Sequence, residues 1–261
     1  MNPNNMKATW SEGNAALGLW LMSVNPVATE QLGQLGFDYI CLDLQHGLID
    51  YTDAVAMLQA LSSSPTTVVC RVPWNEPGII GKLLDAGAMG IIVPMVNSAA
   101  EAEAAVRACR YAPDGARSFG PVRAAAVHGR GYAVEANAEV ACIPMIETAE
   151  AIANLDEILD VPGVDAVYVG PADLSLTLGL PPGSDNDDQA FVDALAAVVD
   201  GAKRRGIVAG IHSIPTVATK RLEQGFRMVT VTSDIQGLME GTKAGLDQVK
   251  GEAARGDQSL Y

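Results

Sequence analysis

The sequence predicts a single (β/α)8 barrel, the TIM barrel fold, over residues 1–261. Eight short apolar segments alternate with longer amphipathic ones, and most of the short segments are near-continuous runs of Val, Ile, Leu and Cys. Such runs are typical of parallel strands that are covered on both faces. Eight strand–helix units over about 250 residues are the usual size of one barrel domain, so we expect no second domain.

The predicted boundaries follow from where each apolar or amphipathic pattern starts and stops. The predicted strands are residues 16–22, 38–43, 67–72, 90–95, 141–147, 164–170, 207–212 and 228–232. The predicted helices are residues 26–35, 51–61, 76–86, 98–110, 148–159, 188–205, 215–224 and 235–250. Four glycines lie directly after predicted helices, where a left-handed residue commonly ends a helix: Gly36, Gly87, Gly206 and Gly225.

An open, doubly wound sheet is the alternative architecture for this alternating pattern. That fold usually carries a glycine-rich nucleotide-binding turn after its first strand. Residues 23–26 instead read Ser-Val-Asn-Pro, so we favour the barrel. Two long connections, residues 111–140 and 171–187, show no helical pattern, and loops of this length in a barrel are more often functional than idle.

The composition of the chain excludes several classes of partner. The chain has 31 acidic and 17 basic residues and a net charge of -14, whereas nucleic acids and anionic membranes require clustered positive charge. No apolar stretch reaches the roughly 18 residues that span a bilayer, and the polar N-terminus does not resemble a signal peptide. The four cysteines show no C-x-x-C spacing, so we expect buried free thiols in a cytoplasmic protein.

Two carboxylates predict a metal site at the ends of consecutive strands. Glu147 ends the fifth predicted strand and Asp173 follows the sixth. Neighbouring parallel strands lie about 4.8 Å apart, so both side chains can reach one ion. Two hard oxygen ligands with no nearby Cys or His suit Mg2+ or Mn2+. The alternative interpretation is that each carboxylate caps the helix that follows it.

An arginine and a histidine are the predicted companions of that site. Arg71 closes the third strand, where a cation is costly unless an anion pairs with it. We expect Arg71 either to bind a carboxylate or enolate oxygen of a substrate, or to form a structural ion pair with Asp43 or Glu147. His46 lies in the loop after the second strand, where a general acid or base can act near neutral pH and Asp43 can orient its ring. A hydrogen-bonded structural histidine is the alternative.

Further strand ends predict contacts with a substrate. The segment 170–173 can direct successive backbone N–H groups toward a carboxylate, and its alternative is a tight turn into a helix. No lysine lies in a predicted strand or at its carboxyl end, which argues against a Schiff-base aldolase. The remaining candidates for substrate contact are Trp20, Gly170, Pro171, Ala172, Asp173 and, with weaker support, His128 and His212.

The motifs at these positions resemble those of the HpcH/HpaI family of metal-dependent class II pyruvate aldolases, which includes 4-hydroxy-2-oxoheptanedioate and 2-keto-3-deoxy sugar acid aldolases. The resemblance covers nearly the whole chain. It rests on LDLQHGLID (42–50), VVCRVPWNEP (68–77), KLLDAGAMGIIVPMV (82–96), RYAPDGARSFGP (110–121), PMIET (144–148) and GVDAVYVGPADLS (163–175). One departure is Met145, because many sugar-acid aldolases of the family have glutamine there; this change removes a polar contact near the pyruvate.

The resemblance implies a (β/α)8 barrel assembled as a homo-hexamer, a trimer of dimers, with the C-terminal helix (about 235–253) packed on a neighbouring subunit. It implies that Glu147 and Asp173 hold Mg2+, Mn2+ or Co2+. Arg71 would contact the pyruvate oxygen that becomes the enolate oxygen.

The resemblance also implies the acid–base chemistry and the position of the 2-oxo acid. His46 would act as the acid or base, directly or through water, paired with Asp85 of the adjacent subunit. The backbone amides of Ala172 and Asp173 would hold the pyruvate carboxylate.

The resulting hypothesis is a carbon–carbon lyase. It would cleave or form a 4-hydroxy-2-oxo acid from pyruvate, or a close 2-oxo acid, and an aldehyde through a metal-bound enolate. Trp20 and the arginine-rich loop 117–130, with Arg123, would contact the aldehyde. Two alternative reactions use the same site: oxaloacetate decarboxylation and a CoA-thioester lyase reaction, and the acidic chain offers little positive charge for a CoA nucleotide. A third alternative is a barrel without catalysis, and the presence of His46, Arg71, Glu147 and Asp173 together argues against it.

Overall fold

The eight predicted strands form a closed parallel barrel in the computed structural model, which describes residues 1–258 and their side chains as far as residue 251. Strands pair in chain order, and the last pairs with the first, which confirms the barrel and excludes the open sheet. The strands β1–β8 are Ala16–Leu21, Tyr39–Asp43, Thr67–Arg71, Gly90–Val93, Ala141–Ile146, Ala166–Val169, Val208–Ile211 and Met228–Ser233.

Helices surround the barrel between the strands. The helices α1–α13 are Asn5–Ser11, Pro26–Leu32, Tyr51–Ala60, Pro77–Ala86, Ala99–Cys109, Ala124–His128, Tyr132–Glu139, Ala149–Ala153, Leu155–Leu159, Pro171–Thr177, Gln189–Arg205, Pro215–Gln224 and Asp234–Gln258. Three helices, α4, α11 and α12, end at a left-handed glycine as predicted, at Gly87, Gly206 and Gly225. The fourth predicted position, Gly36, is wrong, because α2 already ends at Leu32.

The expectation of two non-helical connections is wrong. Helices α6 and α7 lie within residues 111–140, and α10 opens the 171–187 connection. These helices have five to eight residues each, which is too short for an apolar periodicity to be recognised in the sequence. Helix α1 was also not predicted, since its N-terminal segment is largely polar.

The barrel interior is filled by large side chains, so the barrel is a packed core rather than a pore. Tyr39, Tyr168 and Thr230 are fully buried there, and both tyrosine hydroxyls hydrogen-bond to Oγ1 of Thr230, at 2.9 and 2.6 Å. A Cβ on Gly18 would lie 2.0 Å from Cζ of Tyr39, so only glycine leaves room for this ring. Trp20 stacks on Tyr168 with 5.6 Å between ring centroids and forms the floor of the upper end.

The N-terminal segment closes the lower end of the barrel. Met6 of α1 is completely buried, and Nδ2 of Asn4 donates to the carbonyl of Met89, just before β4. Access from solvent therefore remains at the carboxyl ends of the strands, where barrel enzymes carry out their chemistry.

The prediction of buried free thiols is confirmed, and the described helices show no membrane segment. Cys41, Cys70, Cys109 and Cys142 are buried and free. Between residues 1 and 258, no helix combines the length and apolarity needed to cross a bilayer.

Candidate active site

A pocket of about 340 Å³ opens at the carboxyl ends of the strands and brings together most of the predicted residues. It is lined by side chains or backbone of nine predicted site residues: Trp20, His46, Arg71, Glu147, Gly170, Pro171, Ala172, Asp173 and His212. They come from β1, β3, the ends of β5, β6 and β7 and the loop after β2, because parallel closure places all carboxyl ends on one rim.

Glu147 is held in the pocket by the backbone at the end of the neighbouring strand. It directly follows β5 and is 2 % exposed, and its Oε1 accepts a hydrogen bond from the backbone N–H of Met95 at 2.8 Å. Met95 has φ 54°, a left-handed conformation that is rare for a residue with a side chain. Strain of this kind persists where the surrounding structure requires it, here to present an N–H to the carboxylate.

The electrostatics of the two acids favour a cation. The pKa of Glu147 is raised to about 7, chiefly by burial; the nearby charge of Asp173 acts in the same direction, while the Met95 N–H and Arg71 oppose the rise. A divalent ion relieves the cost of ionising a buried carboxylate such as Glu147 beside a second acid. The residues present therefore fit Mg2+ or a similar hard cation, with other positions left for water and substrate.

The described residues contain no cluster of three or more acidic, histidine or cysteine side chains that could hold a metal. A cation at Glu147 and Asp173 would thus have two protein ligands. This number suits an ion that also binds a chelating substrate.

Gly170 provides the space that the Glu147 carboxylate occupies. A Cβ at this position would lie 2.3 Å from Oε2 of Glu147. Its φ of -94° is open to any residue, so the constraint is steric rather than conformational.

Gly170→Ala should therefore weaken divalent-metal binding at least about tenfold, because Glu147 must leave its position. Isothermal titration with Mn2+ measures this, with Gly81→Ala as the matched control since no atom lies within 4 Å of a Cβ there. Equal metal affinity in both variants would contradict the assignment of Glu147 as a ligand.

Arg71 is fixed by a two-point ion pair with Asp43. The two residues face each other in register on β3 and β2. Nε and Nη2 of Arg71 donate to Oδ1 and Oδ2 of Asp43 at 2.8 and 2.6 Å. Burial opposes both charges, but the pair outweighs it, so the pKa of Asp43 lies below and that of Arg71 above the ordinary value.

The Asp43 carboxylate is saturated with donors. Oδ2 also accepts from Nε1 of Trp20 at 3.0 Å, and Oδ1 accepts from the backbone N–H groups of Gln45 and His46. The guanidinium of Arg71 lies 5.0 Å from the Trp20 ring centroid. Nη1 of Arg71 takes no part in the Asp43 pair and is the donor left for a ligand.

The expectation that Asp43 orients the ring of His46 is not met, since its oxygens receive backbone N–H groups and Arg71 instead. His46 is exposed at the rim of the pocket. Its ring is therefore open to a substrate in the pocket or to a second chain.

Two predicted residues lie outside this pocket in their own chain. Asp85 on α4 pairs with Arg117 at 2.7 Å and lines a groove between α4 and α5. Arg123 donates to the carbonyls of Ala86 and Leu58, so it caps the C-terminal ends of α4 and α3 near the lower end of the barrel. A cation at a helix C-terminus is stabilising.

The assignment of Arg123 and its loop to the aldehyde contact is therefore wrong for the pocket of the same chain. His128 lies beside Arg123, with Nε2 2.9 Å from the carbonyl of Gly87, and does not reach the pocket either. The sequence shows an arginine-rich stretch, but it does not reveal the short helices that place this stretch at the lower end of the barrel.

One wall of the pocket is the segment 182–184 after α10. The sequence predicted a functional connection at 171–187 but did not single out these three residues. Asp185 anchors this segment through Arg221 at 2.7 Å and Lys220 at 2.6 Å. Arg221 is completely buried, and its Nη2 also donates to the carbonyl of Ser184. The sequence signal was the lysine–arginine pair on α12 together with the acidic loop.

Comparison with known proteins identifies the relatives of this chain. A family model described as HpcH/HpaI aldolase/citrate lyase matches residues 16–240. The hydroxypyruvate/pyruvate aldolase of Rhizorhabdus wittichii is 42% identical over 236 residues, 89% of this chain and 93% of that protein. The 4-hydroxy-2-oxo-heptane-1,7-dioate aldolase of Klebsiella pneumoniae is 37% identical over 246 residues, 92% of each chain. The crystal structure of a HpcH/HpaI aldolase/citrate lyase family protein from Burkholderia cenocepacia superposes with a TM-score of 0.88 at 34% identity, over 95% of this chain and 99% of that one.

Proposed function

Since this chain belongs to the HpcH/HpaI aldolase/citrate lyase family and is an aldolase, we propose that its pocket joins a 2-oxo acid to an aldehyde with the help of a divalent metal. The 2-oxo acid would be pyruvate or hydroxypyruvate. The observation that carries this proposal is the convergence of Arg71, Glu147 and Asp173 in one pocket at the carboxyl ends of β3, β5 and β6.

Glu147 and Asp173 would hold the cation by their carboxylate oxygens. A divalent ion there would polarise the ketone of the 2-oxo acid and favour loss of a proton from its C3 carbon. Carboxylate oxygens are hard ligands that suit hard cations, so Mg2+ and Mn2+ are the proposed ions. Co2+ would be a substitute.

The chain's own residues would bind and orient the 2-oxo acid. The N–H groups of Ala172 and Asp173 lie in the first turn of α10, which a helix leaves without internal partners, and would bind the carboxylate. Nη1 of Arg71 would donate to the ketone oxygen and stabilise the negative charge that develops on it as the enolate forms. The ion pair with Asp43 keeps this donor in one orientation.

Proton transfer would fall to His46, directly or through water. It would accept the proton that leaves C3 and return it to the new alkoxide after addition to the aldehyde, and in the cleavage direction the same transfers would run in reverse. We propose that Asp85 of a second copy assists it, as the family resemblance implies. A homo-oligomer is supported by helix α13, whose Ile235, Leu238 and Met239 are 44, 65 and 64 % exposed.

An aldol assay tests the proposal. The purified enzyme is incubated with pyruvate or hydroxypyruvate, a panel of aldehydes and Mn2+ or Mg2+, and the 4-hydroxy-2-oxo acid is quantified. Product should disappear with a chelator and return with the ion. Product formation that survives thorough chelation would refute the metal-dependent scheme, and covalent trapping of pyruvate by borohydride would point to a Schiff base instead.

Metal affinity should depend on pH because of Glu147. Its pKa is raised to about 7 in the metal-free protein, so below that pH the group is protonated and neutral. One proton must then leave for each ion bound, and affinity should fall about tenfold for each pH unit below 7 and level off above it. Titration calorimetry with Mn2+ between pH 5.5 and 8 measures this; an affinity that stays flat below pH 7 would contradict it.

A further inference from the structure

His212 is a polar residue of the pocket that the proposed chemistry does not use. It directly follows β7, and its side chain faces the pocket that also contains Arg71 and Asp173. The ring meets the Trp20 indole edge-on, with 5.0 Å between centroids and 87° between planes. The imidazole is thus placed against one wall of the pocket rather than free at its rim.

The Trp20 side chain, against which the His212 ring packs, is buried and held by several contacts. Trp20 is 1 % exposed, stacks on Tyr168 below and donates Nε1 to Asp43. The Arg71 guanidinium lies 5.0 Å from the centroid of its ring. The position of the His212 ring is therefore set before any substrate enters, which is the condition for a group that selects among substrates.

The hydrogen-bonding capacity of this imidazole is unused. Among the backbone groups of residues 1–258 and the side chains of residues 1–251, none makes a hydrogen bond to the His212 ring. A half-buried polar ring without protein partners indicates a partner from outside the chain. Its atoms are also not closed off, since neither ring nitrogen is among the fully buried unpaired atoms.

The ring is neutral under ordinary conditions. Burial lowers the pKa of His212 to about 4, and the charge of Arg71 acts in the same direction, while Asp43 opposes the shift. A neutral imidazole has one N–H donor and one nitrogen acceptor. A hydroxyl group also offers one donor and accepts, so the two groups match, whereas a carboxylate calls for a cation.

We propose that His212 is a specificity-determining residue that hydrogen-bonds an uncharged hydroxyl group of the substrate. The inference rests on the proposed aldolase function and names its substrate class: at least one of the two reactants carries a hydroxyl on the reacting carbon or on the carbon next to it. The hydroxyl can belong to the 2-oxo acid, as in hydroxypyruvate, or to the aldehyde, as in glycolaldehyde.

The test compares matched substrates in the wild-type enzyme and in His212→Leu. One arm sets hydroxypyruvate against pyruvate with the same aldehyde, and the other sets glycolaldehyde against acetaldehyde with the same 2-oxo acid. The readout is the ratio of kcat/KM for the hydroxylated and non-hydroxylated member of each pair. His212→Asn, which keeps a donor and an acceptor, serves as the conservative variant, and His128→Leu repeats the substitution at the lower end of the barrel.

The wild-type enzyme should prefer the hydroxylated member in one arm, and His212→Leu should reduce that ratio about tenfold, which corresponds to about 1.4 kcal/mol. His212→Asn should keep part of the preference and His128→Leu all of it. The arm that responds identifies which reactant carries the hydroxyl. An unchanged ratio in both arms, or equal losses for both members of each pair, would overturn the inference while leaving the aldolase function intact; no product from any pair in the wild type would instead refute the proposed function.

Discussion

Glu147→Gln should remove divalent-metal binding and lower aldol kcat/KM by about a thousandfold or more. The substitution keeps the shape of the side chain and an oxygen that can accept from the Met95 N–H, but it removes the negative charge that would hold the ion. A Lewis-acid cation supplies several kcal/mol of transition-state stabilisation, and each 1.36 kcal/mol is a factor of ten in rate. Metal titration and steady-state kinetics measure the two losses.

Stability separates this effect from misfolding. Because the pKa of Glu147 is raised above its ordinary value, its contribution to stability is present at low pH and lost as pH rises toward 8 in the metal-free protein. The Gln variant lacks this loss, so its metal-free form should unfold at the same or a higher temperature than wild type at pH 8. Glu150→Gln, on α8 and outside the pocket, is the control. A Glu147→Gln enzyme with normal activity and metal affinity would remove Glu147 from the site.

Arg71→Lys should lower kcat/KM by about a hundredfold or more while preserving the positive charge. Lysine cannot donate to both oxygens of Asp43 and to a substrate oxygen in one plane, so the orientation of the remaining donor is lost. Removal of one donor to a developing oxyanion commonly costs about 10²–10³ in rate. The loss should appear with every aldehyde, because the proposed contact is with the 2-oxo acid. An effect confined to one aldehyde would contradict that contact.

The companion variant Asp43→Asn should destabilise the protein by about 3–5 kcal/mol, the usual result of breaking a buried ion pair. Five donors point at its two oxygens, and an amide nitrogen would face at least one of them. Chemical denaturation measures the loss. Asp160→Asn is the matched control, since it breaks a similar two-point pair with Arg205 that is exposed to water; a loss of the same size in both variants would argue against a special role for burial.

Glu147, Asp173 and Arg71 could be predicted because each lies at or just after the carboxyl end of a strand, and each strand is recognisable in the sequence as a short apolar run. Glu147 directly follows β5 and Arg71 closes β3, and in a parallel barrel all such ends meet on one rim. These ends meet only if the eight strands close into a barrel, and the eight apolar runs of the sequence predict that closure.

The sequence by itself thus determined the fold class and the positions of Arg71, Glu147 and Asp173 at one end of the barrel, because strand ends are encoded by contiguous apolar runs. Only the tertiary structure decided that Asp43 pairs with Arg71 rather than with His46, that Arg123 caps helices at the lower end, and that His212 faces Trp20. Each of these contacts joins residues whose separation along the chain carries no periodic signal. They are set by strand register and side-chain packing, which exist only once the barrel has closed.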